Sequence, residues 1–172
     1  MTKSTRSDTA RLATKTRPQT LDAIDQRVLL ELDRDPRATV MLIAERTGLA
    51  RGTVRSRLER LERDGALRAH SARLQPEALG LGLRAIVCAQ VDQNEFGETI
   101  QALAAIPEVV ECSGVSGRDD MHCQVVARDP EHLYLVTRRI MRCRGVQRTS
   151  TSIVLTEFIA YRTTQLLDSA TA

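Results

Sequence analysis

The sequence predicts an α+β protein with an N-terminal winged helix-turn-helix domain and a C-terminal ferredoxin-like domain of order β-α-β-β-α-β. Two short helical patterns meet at a glycine near residue 48, and the second of them is rich in arginine. Beyond residue 82, alternating strand-like segments are interleaved with two amphipathic segments. Charge follows the same division, because residues 1–74 hold 16 basic and 10 acidic side chains and residues 75–172 hold 9 and 12. A basic half joined to an acidic half favours a nucleic-acid-binding module attached to a module with another task.

The first 19 residues are polar, with five basic residues, one acidic residue and a single Leu. Such a segment buries too little apolar surface to order itself, so we expect a disordered basic tail over residues 1–19. Two readings of this tail stay open. It is either an arm that adds nonspecific DNA affinity or an inert leader.

Residues 20–74 are predicted to form the helix-turn-helix domain. Asp22 can cap the first helix, and Pro36 forces the chain out of helical conformation after it. Thr39 is the predicted cap of the second helix, and Gly48 fits the left-handed conformation that ends helices. The third helix then carries a buried stripe with helical spacing. Its members are Val54, Leu58 and Leu61.

The outward side of the third helix is the candidate DNA-binding surface. Small residues near its start would let the backbone approach the bases, and arginine reads guanine or holds phosphate. The residues predicted to contact DNA are Arg51, Gly52, Thr53, Arg55, Ser56, Arg57 and Arg60. The alternative is a solvated surface helix, in which Glu59 and Glu62 pair with neighbouring arginines.

The rest of the chain is assigned from turn signals and periodicity. Residues 66–74 are predicted as one or two short strands, the wing, and residues 75–82 as a hinge with a brief helical turn. Residues 83–160 form the second domain, and residues 161–172 are predicted as a C-terminal tail. In that domain, strands are predicted at 83–92, 109–116, 121–128 and 146–158, with a helix around residues 96–103 and another starting at Asp129 and Pro130.

Two helices on one face of a four-stranded sheet leave its other face uncovered. We expect that face to be apolar and therefore to bind a partner, the simplest partner being a second copy of the chain. The second domain is accordingly predicted to mediate oligomerisation.

Composition disfavours several classes of function. Aromatic residues make up 2% of the chain and Trp is absent, which argues against single-strand binding by base stacking. No apolar run reaches the ~20 residues of a membrane span. The polar start lacks the core of a signal peptide, so we expect a cytoplasmic protein.

The cysteines give no metal or redox motif. Cys88, Cys112, Cys123 and Cys143 form no C-x-x-C pair, and we expect buried free thiols, no metal and no cofactor. A metal cluster of His122 and Cys123 with a distant third ligand stays open as an alternative.

Seven short motifs occur in a fixed order over residues 21–151. They are Leu21-Asp22-x-x-Asp25, Ile43-Ala44, Gly48-Leu49, Thr53-Val54-x-x-Arg57-Leu58-x-x-Leu61-Glu62-x-x-Gly65, Pro76-Glu77-Ala78-Leu79-Gly80, Ser116-Gly117-Arg118-Asp119-Asp120 and Thr149-x-Thr151. Together they resemble the Lrp/AsnC, or feast/famine, family of bacterial and archaeal transcription regulators. Each motif is short, but their order and spacing cover residues 21–160.

The resemblance implies a regulator, not an enzyme, that binds specific double-stranded DNA and responds to a small effector, usually an amino acid. Members dimerise through the ferredoxin-like domain, and dimers assemble further, for example as a tetramer of dimers. The effector-binding residues implied by position are Gly117, Arg118, Asp119, Asp120, Thr149 and Thr151. In that arrangement Asp120 would pair with an ammonium group and Arg118 with a carboxylate.

The chain departs from the family pattern at several of these positions. Ala50 stands where a capping Ser is usual, and Arg51-Gly52 replaces the common Pro-Ser. In the effector loop, Asp119 and Met121 occupy places where aromatic residues are frequent. The more acidic loop favours a cationic or zwitterionic effector.

Two other functions stay open. An architectural protein could wrap DNA with little sequence preference. Certain tetrapyrrole decarboxylases share the two-domain layout, but they use pocket histidines and lack a basic recognition helix. This chain has three scattered histidines and keeps the arginines, which argues against that enzyme.

Overall fold

The computed structural model describes residues 20–169, with the side chains of His70, Asp168 and Ser169 left out. The predicted basic tail, residues 1–19, lies outside the described residues. The described chain divides into two compact units, one formed by Leu74–Phe158 and the other by residues 20–73 together with 159–169. None of the helices in residues 20–169 is long and apolar enough to cross a membrane.

Three helices form the N-terminal unit: α1 (Ala23–Arg34), α2 (Val40–Thr47) and α3 (Arg51–Arg63). The predicted caps are confirmed, since Thr39 Oγ1 accepts a hydrogen bond from Leu42 N at 3.2 Å and Gly48 ends α2 with φ of 67°. At the start of α1, Asp22 and Asp25 accept hydrogen bonds from each other's backbone N–H at 2.9 and 3.1 Å. The three helices pack around a small apolar core. Its buried members are Val28, Ile43, Ala44 and Val54.

The predicted wing strands are wrong. Residues 66–74 contain no strand, and His70–Arg73 forms a short 3-10 helix. Ala66 N and Leu67 N both donate to Leu61 O, at 3.0 and 3.3 Å, which ties this segment to the end of α3. Within the described chain no second strand lies beside the segment to complete a ladder, and a strand requires one.

The C-terminal segment was predicted as a tail, but part of it forms a short helix, α6 (Thr164–Ser169), which packs on α1. Thr164 Oγ1 donates to Asp33 Oδ2 at 2.8 Å, and the Arg68 guanidinium lies 4.4 Å from the centre of the Tyr161 ring. Tyr161 and the start of α6 are therefore tied to the helix-turn-helix domain.

The other unit has the predicted order of elements. They are β1 (Leu83–Val91), α4 (Phe96–Ala104), β2 (Val109–Gly114), β3 (Met121–Ala127), α5 (Pro130–Met141) and β4 (Val146–Ile153). Every strand pair is antiparallel and the spatial order is β2-β3-β1-β4, which confirms the ferredoxin-like arrangement. The core fills the space between the sheet and the two helices, with Val87, Cys123 and Ile140 fully buried.

Strand β4 ends at Ile153, five residues before the predicted end. In the described sheet β4 pairs with β1 alone, and β1 begins at Leu83, so the ladder ends at the 2.9 Å bond from Val154 N to Arg84 O. Past this point, no strand in residues 20–169 lies beside the chain. Leu155 and Phe158 are consequently 92% and 93% exposed.

The uncovered sheet face is not the apolar surface that we expected. On β1 it presents Arg84, Ile86, Cys88 and Gln90, and on β3 it presents His122 and Gln124. Polar groups dominate because the alternate positions of each strand carry the apolar residues toward the helices. Ile86, the largest apolar side chain that β1 presents there, is only 39% exposed.

The turn from α5 into β4 passes very close to the start of α4. Gly145 has φ of 85°, and a Cβ at this position would collide with Thr99 Oγ1. The hydroxyl of Thr99 is fixed in position, because its Oγ1 lies within hydrogen-bond distance of two carbonyl oxygens, 2.7 Å from Arg144 O and 3.0 Å from Glu95 O. Only glycine fits this crossing without displacing buried structure.

Candidate DNA-binding helix and effector loop

The outward side of α3 carries a small set of exposed residues near its start, with Arg51, Gly52, Arg55 and Ser56 all exposed. Nothing lies within 4 Å of the space that a Cβ on Gly52 would occupy, so the backbone is open there. Arg55 is 76% exposed and its Nε donates to Glu59 Oε1 at 3.2 Å. Exposed pairs of this kind contribute ~0–1 kcal/mol, so another acceptor could readily take the guanidinium from Glu59.

The first turn of α3 has no side-chain cap. Ala50 occupies the cap position and offers no oxygen to the free backbone N–H groups that follow it. Thr53 is half-buried, and its carbonyl oxygen accepts a hydrogen bond from Ser56 Oγ at 3.1 Å. The start of α3 thus combines free N–H groups with arginine side chains, an arrangement that attracts phosphate.

Arg57 and Arg60 lie on the same helix but point to the N-terminus of α1. Arg57 Nη1 contacts Asp25 Oδ1 at 3.1 Å and also pairs with Asp22, while Arg60 pairs with Asp25. The Asp25 side chain is only 1% exposed. The structure therefore gives these two arginines an internal task, holding α3 against α1, which the sequence pattern did not reveal.

Hydrogen bonding favours the charged forms of Asp22 and Arg57. The pKa of Asp22 is lowered, first because its carboxylate accepts a hydrogen bond from Asp25 N and then because the Arg57 guanidinium lies beside it. The same pairing with Asp22 raises the pKa of Arg57. At neutral pH both partners carry full charge, and the contact between α1 and α3 is an ion pair.

The turn between α2 and α3 is also fixed from behind. Arg27 donates from its guanidinium to Thr47 O, and Thr47 Oγ1 donates to Ile43 O at 2.6 Å. These bonds occupy polar groups at the buried end of α2. They hold the position from which α3 departs.

The predicted effector loop joins β2 to β3 and is anchored on β1. Gln90 Nε2 donates to Arg118 O, and Asp120 N donates to Ala89 O, both at 2.9 Å. Gly117 has φ of 131°, a conformation that side chains rarely adopt. The loop is therefore a fixed feature at one end of the sheet.

Within this loop the acidic side chains have different surroundings. Asp120 Oδ2 accepts a hydrogen bond from Val91 N at 2.8 Å, and its Oδ1 lies 3.4 Å from Gln93 Nε2. Asp120 is thus engaged in holding the loop to the end of β1. Arg118 is exposed and Asp119 half-buried, and in the described chain neither side chain has a hydrogen bond or ion pair.

Strand β4 brings Thr149 and Thr151 to the opposite side of β1. Thr149 pairs with Ala89 and Thr151 with Val87, so both threonines share the helix-covered side of the sheet with these residues. Asp120 N donates to Ala89 O on the side of β1 that faces β3, whereas Thr149 lies on the side that faces β4. Two strand spacings, about 10 Å, therefore separate Asp120 from Thr149. The loop and Thr149 therefore flank the same residue of β1, and Thr151 lies two residue pairs further along the ladder.

The possible cluster of His122 and Cys123 is wrong as a metal site. These neighbours on β3 point to opposite faces, with Cys123 buried in the core and His122 exposed. The expectation of four buried thiols is confirmed only for Cys123, since Cys88 and Cys143 are half-buried and Cys112 is exposed. Cys123 Sγ donates to Cys112 Sγ at 3.3 Å, and this bond lowers the pKa of Cys112 to about 7.

A three-helix unit with an arginine-bearing third helix, followed by an α+β unit with an anchored loop, defines a DNA-binding protein with a ligand-binding domain. Family models match both parts. Residues 21–68 match the winged helix-turn-helix DNA-binding model, and residues 84–164 match the model of the Lrp/AsnC ligand binding domain.

Similar proteins extend the match over most of the chain. The HTH-type transcriptional regulator FL11 of Pyrococcus horikoshii is 33% identical over 135 residues, which are 78% of this chain and 89% of that protein. The chain belongs to the Lrp/AsnC family of transcriptional regulators, as the resemblance predicted.

Solved structures agree with this assignment. The feast or famine regulatory protein of Mycobacterium tuberculosis, complexed with L-methionine, is 34% identical with a TM-score of 0.73, covering 84% of this chain and 98% of its own. A transcriptional regulator/L-Met complex from Neisseria meningitidis is 28% identical with a TM-score of 0.71, covering 82% and 94%.

Proposed function

We propose that this regulator reads double-stranded DNA with the start of α3, and that an amino acid bound near the loop of residues 117–120 modulates its DNA binding or assembly. DNA binding by α3 is supported by the different surroundings of its arginines. Arg51 and Arg55 are exposed around an open Gly52, while Arg57 and Arg60 are held by carboxylates of α1. The free arginines therefore face outward from a braced helix.

This division refines the predicted roles of the seven DNA-binding residues. In our proposal Arg51 and Arg55 contact base edges or phosphates, and Gly52, Thr53 and Ser56 allow close approach of the backbone. Arg57 and Arg60 position the helix. In a dimer, two such helices would read half-sites about one helical turn of DNA apart.

Replacing Arg55 with Ala tests the DNA half of the proposal. The affinity for DNA upstream of the chain's own gene should fall by about 1–3 kcal/mol, because a guanidinium that contacts a base or phosphate is lost. Fluorescence anisotropy of labelled duplex measures this. Arg128→Ala is the matched control, since Arg128 is an exposed arginine of the other unit. Equal affinities for the two variants would contradict the assignment of Arg55.

The effector half rests on the unengaged groups of the loop. Arg118 is free to pair with an α-carboxylate, Gly117 brings backbone close to a ligand, and Asp119 offers a carboxylate to an ammonium group. Thr149 and Thr151 lie on the helix-covered side of the sheet, so they would add hydroxyl groups from β4 at the side of the ligand away from Asp119, whose carboxylate lies on the uncovered face. We propose that Asp120 acts mainly through the loop it anchors. The relatives solved with L-methionine make that amino acid the first candidate.

Isothermal titration of the purified chain with the common amino acids, L-methionine first, tests this half. Arg118→Ala should weaken binding at least ~10-fold, because an unpaired carboxylate on the ligand loses a charge-assisted hydrogen bond. Arg128→Ala again serves as the control. Binding unchanged in the Arg118 variant would place the effector elsewhere.

We also propose self-association into dimers and higher assemblies. The segment after β4 supports it, since Leu155 and Phe158 are almost fully exposed and lie three residues apart, and apolar side chains exposed close together favour a surface that binds a partner. Light scattering of the full chain, compared with a Leu155→Ser, Phe158→Ser double variant, measures it. A cytoplasmic location and the absence of enzyme activity stay predictions. A discrete, phased footprint on DNA would distinguish a specific regulator from an architectural protein.

A further inference from the structure

Three potential metal ligands converge on the uncovered face of the sheet. The Sγ of Cys88, a carboxylate oxygen of Asp119 and an imidazole nitrogen of His122 all lie within 4.8 Å of one another. Two residues come from adjacent strands and the third from the loop that precedes one of them. The cluster lies entirely within the unit Leu74–Phe158.

The fold fixes this convergence through the register of the sheet. Cys88 of β1 and His122 of β3 are direct partners in the antiparallel ladder, so their side chains stand side by side on one face. Asp119 reaches them from a loop that is bonded on both sides of it. Its neighbours donate and accept there, with Arg118 O held by Gln90 and Asp120 N held by Ala89 O, both at 2.9 Å.

All three groups lack other partners. In the described chain no hydrogen bond or ion pair engages the side chain of Cys88, Asp119 or His122. Nearby polar groups of the same surface do have partners, as Asp120 binds Val91 N and Gln124 Nε2 donates to Glu111 Oε2 at 2.8 Å. A thiol, a carboxylate and an imidazole left free at one point suit a shared ligand.

We propose that Cys88, Asp119 and His122 bind a divalent transition metal ion, with Zn²⁺ as the best match. A sulfur, a nitrogen and an oxygen donor form a typical zinc set, and sulfur disfavours Mg²⁺ and Ca²⁺. Donors around tetrahedral zinc lie about 3–4 Å apart, so side-chain rotations of about an ångström complete the shell. Three protein ligands leave a fourth position for water or another small ligand.

Metal binding would convert the thiol of Cys88 to a thiolate and release its proton. It would also join β1, β3 and the loop through one ion. The proposed metal site lies on the uncovered face of the sheet, away from the core, and it does not require that an amino acid binds to the loop. Asp119 is shared with the proposed effector site, so the Cys88 and His122 variants, which alter the metal site alone, distinguish failure of the metal site from failure of the effector site.

Cobalt titration of the reduced full-length chain tests the site. We expect one Co²⁺ per chain, with a near-ultraviolet sulfur-to-cobalt charge-transfer band, and displacement by Zn²⁺. Cys88→Ser should abolish that band, since it removes the only sulfur ligand. Asp119→Asn and His122→Gln should each weaken binding at least ~10-fold. His122 is exposed and Asp119 is half-buried in a loop, so their variants test the site even if the Cys88 variant folds poorly.

The matched control is Cys112→Ser. Cys112 and Cys123 form a second pair of sulfur atoms, directed to the opposite face, and the pKa of Cys112 is lowered to about 7, so adventitious cobalt would bind there. Full binding in the Cys112 variant, together with loss in the three others, supports the proposal. A charge-transfer band that disappears with Cys112 and survives replacement of Cys88, or the absence of stoichiometric binding, overturns it.

Discussion

Two pairs of arginines on α3 have opposite surroundings although they occur in one short segment. Arg51 and Arg55 are exposed, and the one carboxylate near Arg55 is itself in solvent. Arg57 and Arg60 are 23% and 29% exposed and contact the buried carboxylate of Asp25. The first pair is available to a partner, whereas the second pair is already used to hold the helix. Counting arginines therefore overestimates the charge that the domain can offer to DNA.

The largest effect should follow from removing the shared carboxylate. Asp25→Ala leaves Arg57 with one partner and Arg60 with none in a half-buried setting, and we expect a loss of about 3–5 kcal/mol in the free energy of unfolding. Urea denaturation followed by circular dichroism measures it. Glu45→Ala is the control, because Glu45 is exposed on the neighbouring helix and should change stability by less than about 0.5 kcal/mol. If both variants lose the same amount, the internal role of these arginines is wrong.

A smaller effect separates the two pairs directly. Arg60→Ala should lower the free energy of unfolding by about 1.5–3 kcal/mol through the lost charged hydrogen bond, and leave the affinity of the folded protein for DNA within a few-fold. Arg55→Ala should do the reverse, with stability changed by less than about 1 kcal/mol. Thermal melts measure the stability of both variants, and fluorescence anisotropy with labelled duplex measures their affinity for DNA. If either variant lost both stability and DNA affinity, the distinction between the two pairs of arginines would be wrong.

The smallest effect concerns pH. Asp22→Asn keeps a side-chain oxygen for the helix cap and removes the charge that faces Arg57, at a cost below about 1 kcal/mol because Asp22 is 48% exposed. The pKa of Asp22 is lowered from 3.8 in the folded chain, so its contribution is present above that pH and lost as the pH falls further. Urea midpoints at pH 7, 5 and 3 should show the two proteins converging at the lowest pH. A constant gap would show that the charge is irrelevant.

Local signals allowed much of the fold to be predicted. Thr39 and Gly48 bound α2 as predicted, and Asp129 caps α5 by accepting a hydrogen bond from His132 N at 2.7 Å. These signals succeed because a cap or a left-handed glycine acts within four residues of itself. The order of elements after residue 82 followed from periodicity for the same reason.

The failures concern partners that are distant in sequence. The extent of β4 depends on where β1 begins, some seventy residues earlier, and the wing had no strand to pair with. The directions of Arg57 and Arg60 depend on Asp22 and Asp25, which the sequence offered only as a helix start. Similarly, Cys88 and His122 became neighbours only through the register of β1 and β3. Spacing along one element cannot reveal which residue of another element stands opposite.

Gly145 shows how one missing side chain can govern a distant feature. The chain crosses the start of α4 at Gly145 with no room for a methyl group, and this close contact fixes the position at which β4 begins. The positions of Thr149 and Thr151, further along the same strand, therefore depend on this contact. A bulkier residue at this corner would shift both hydroxyl groups relative to the loop across the sheet, and under the proposed function it would alter the response to the effector from a position outside the proposed site.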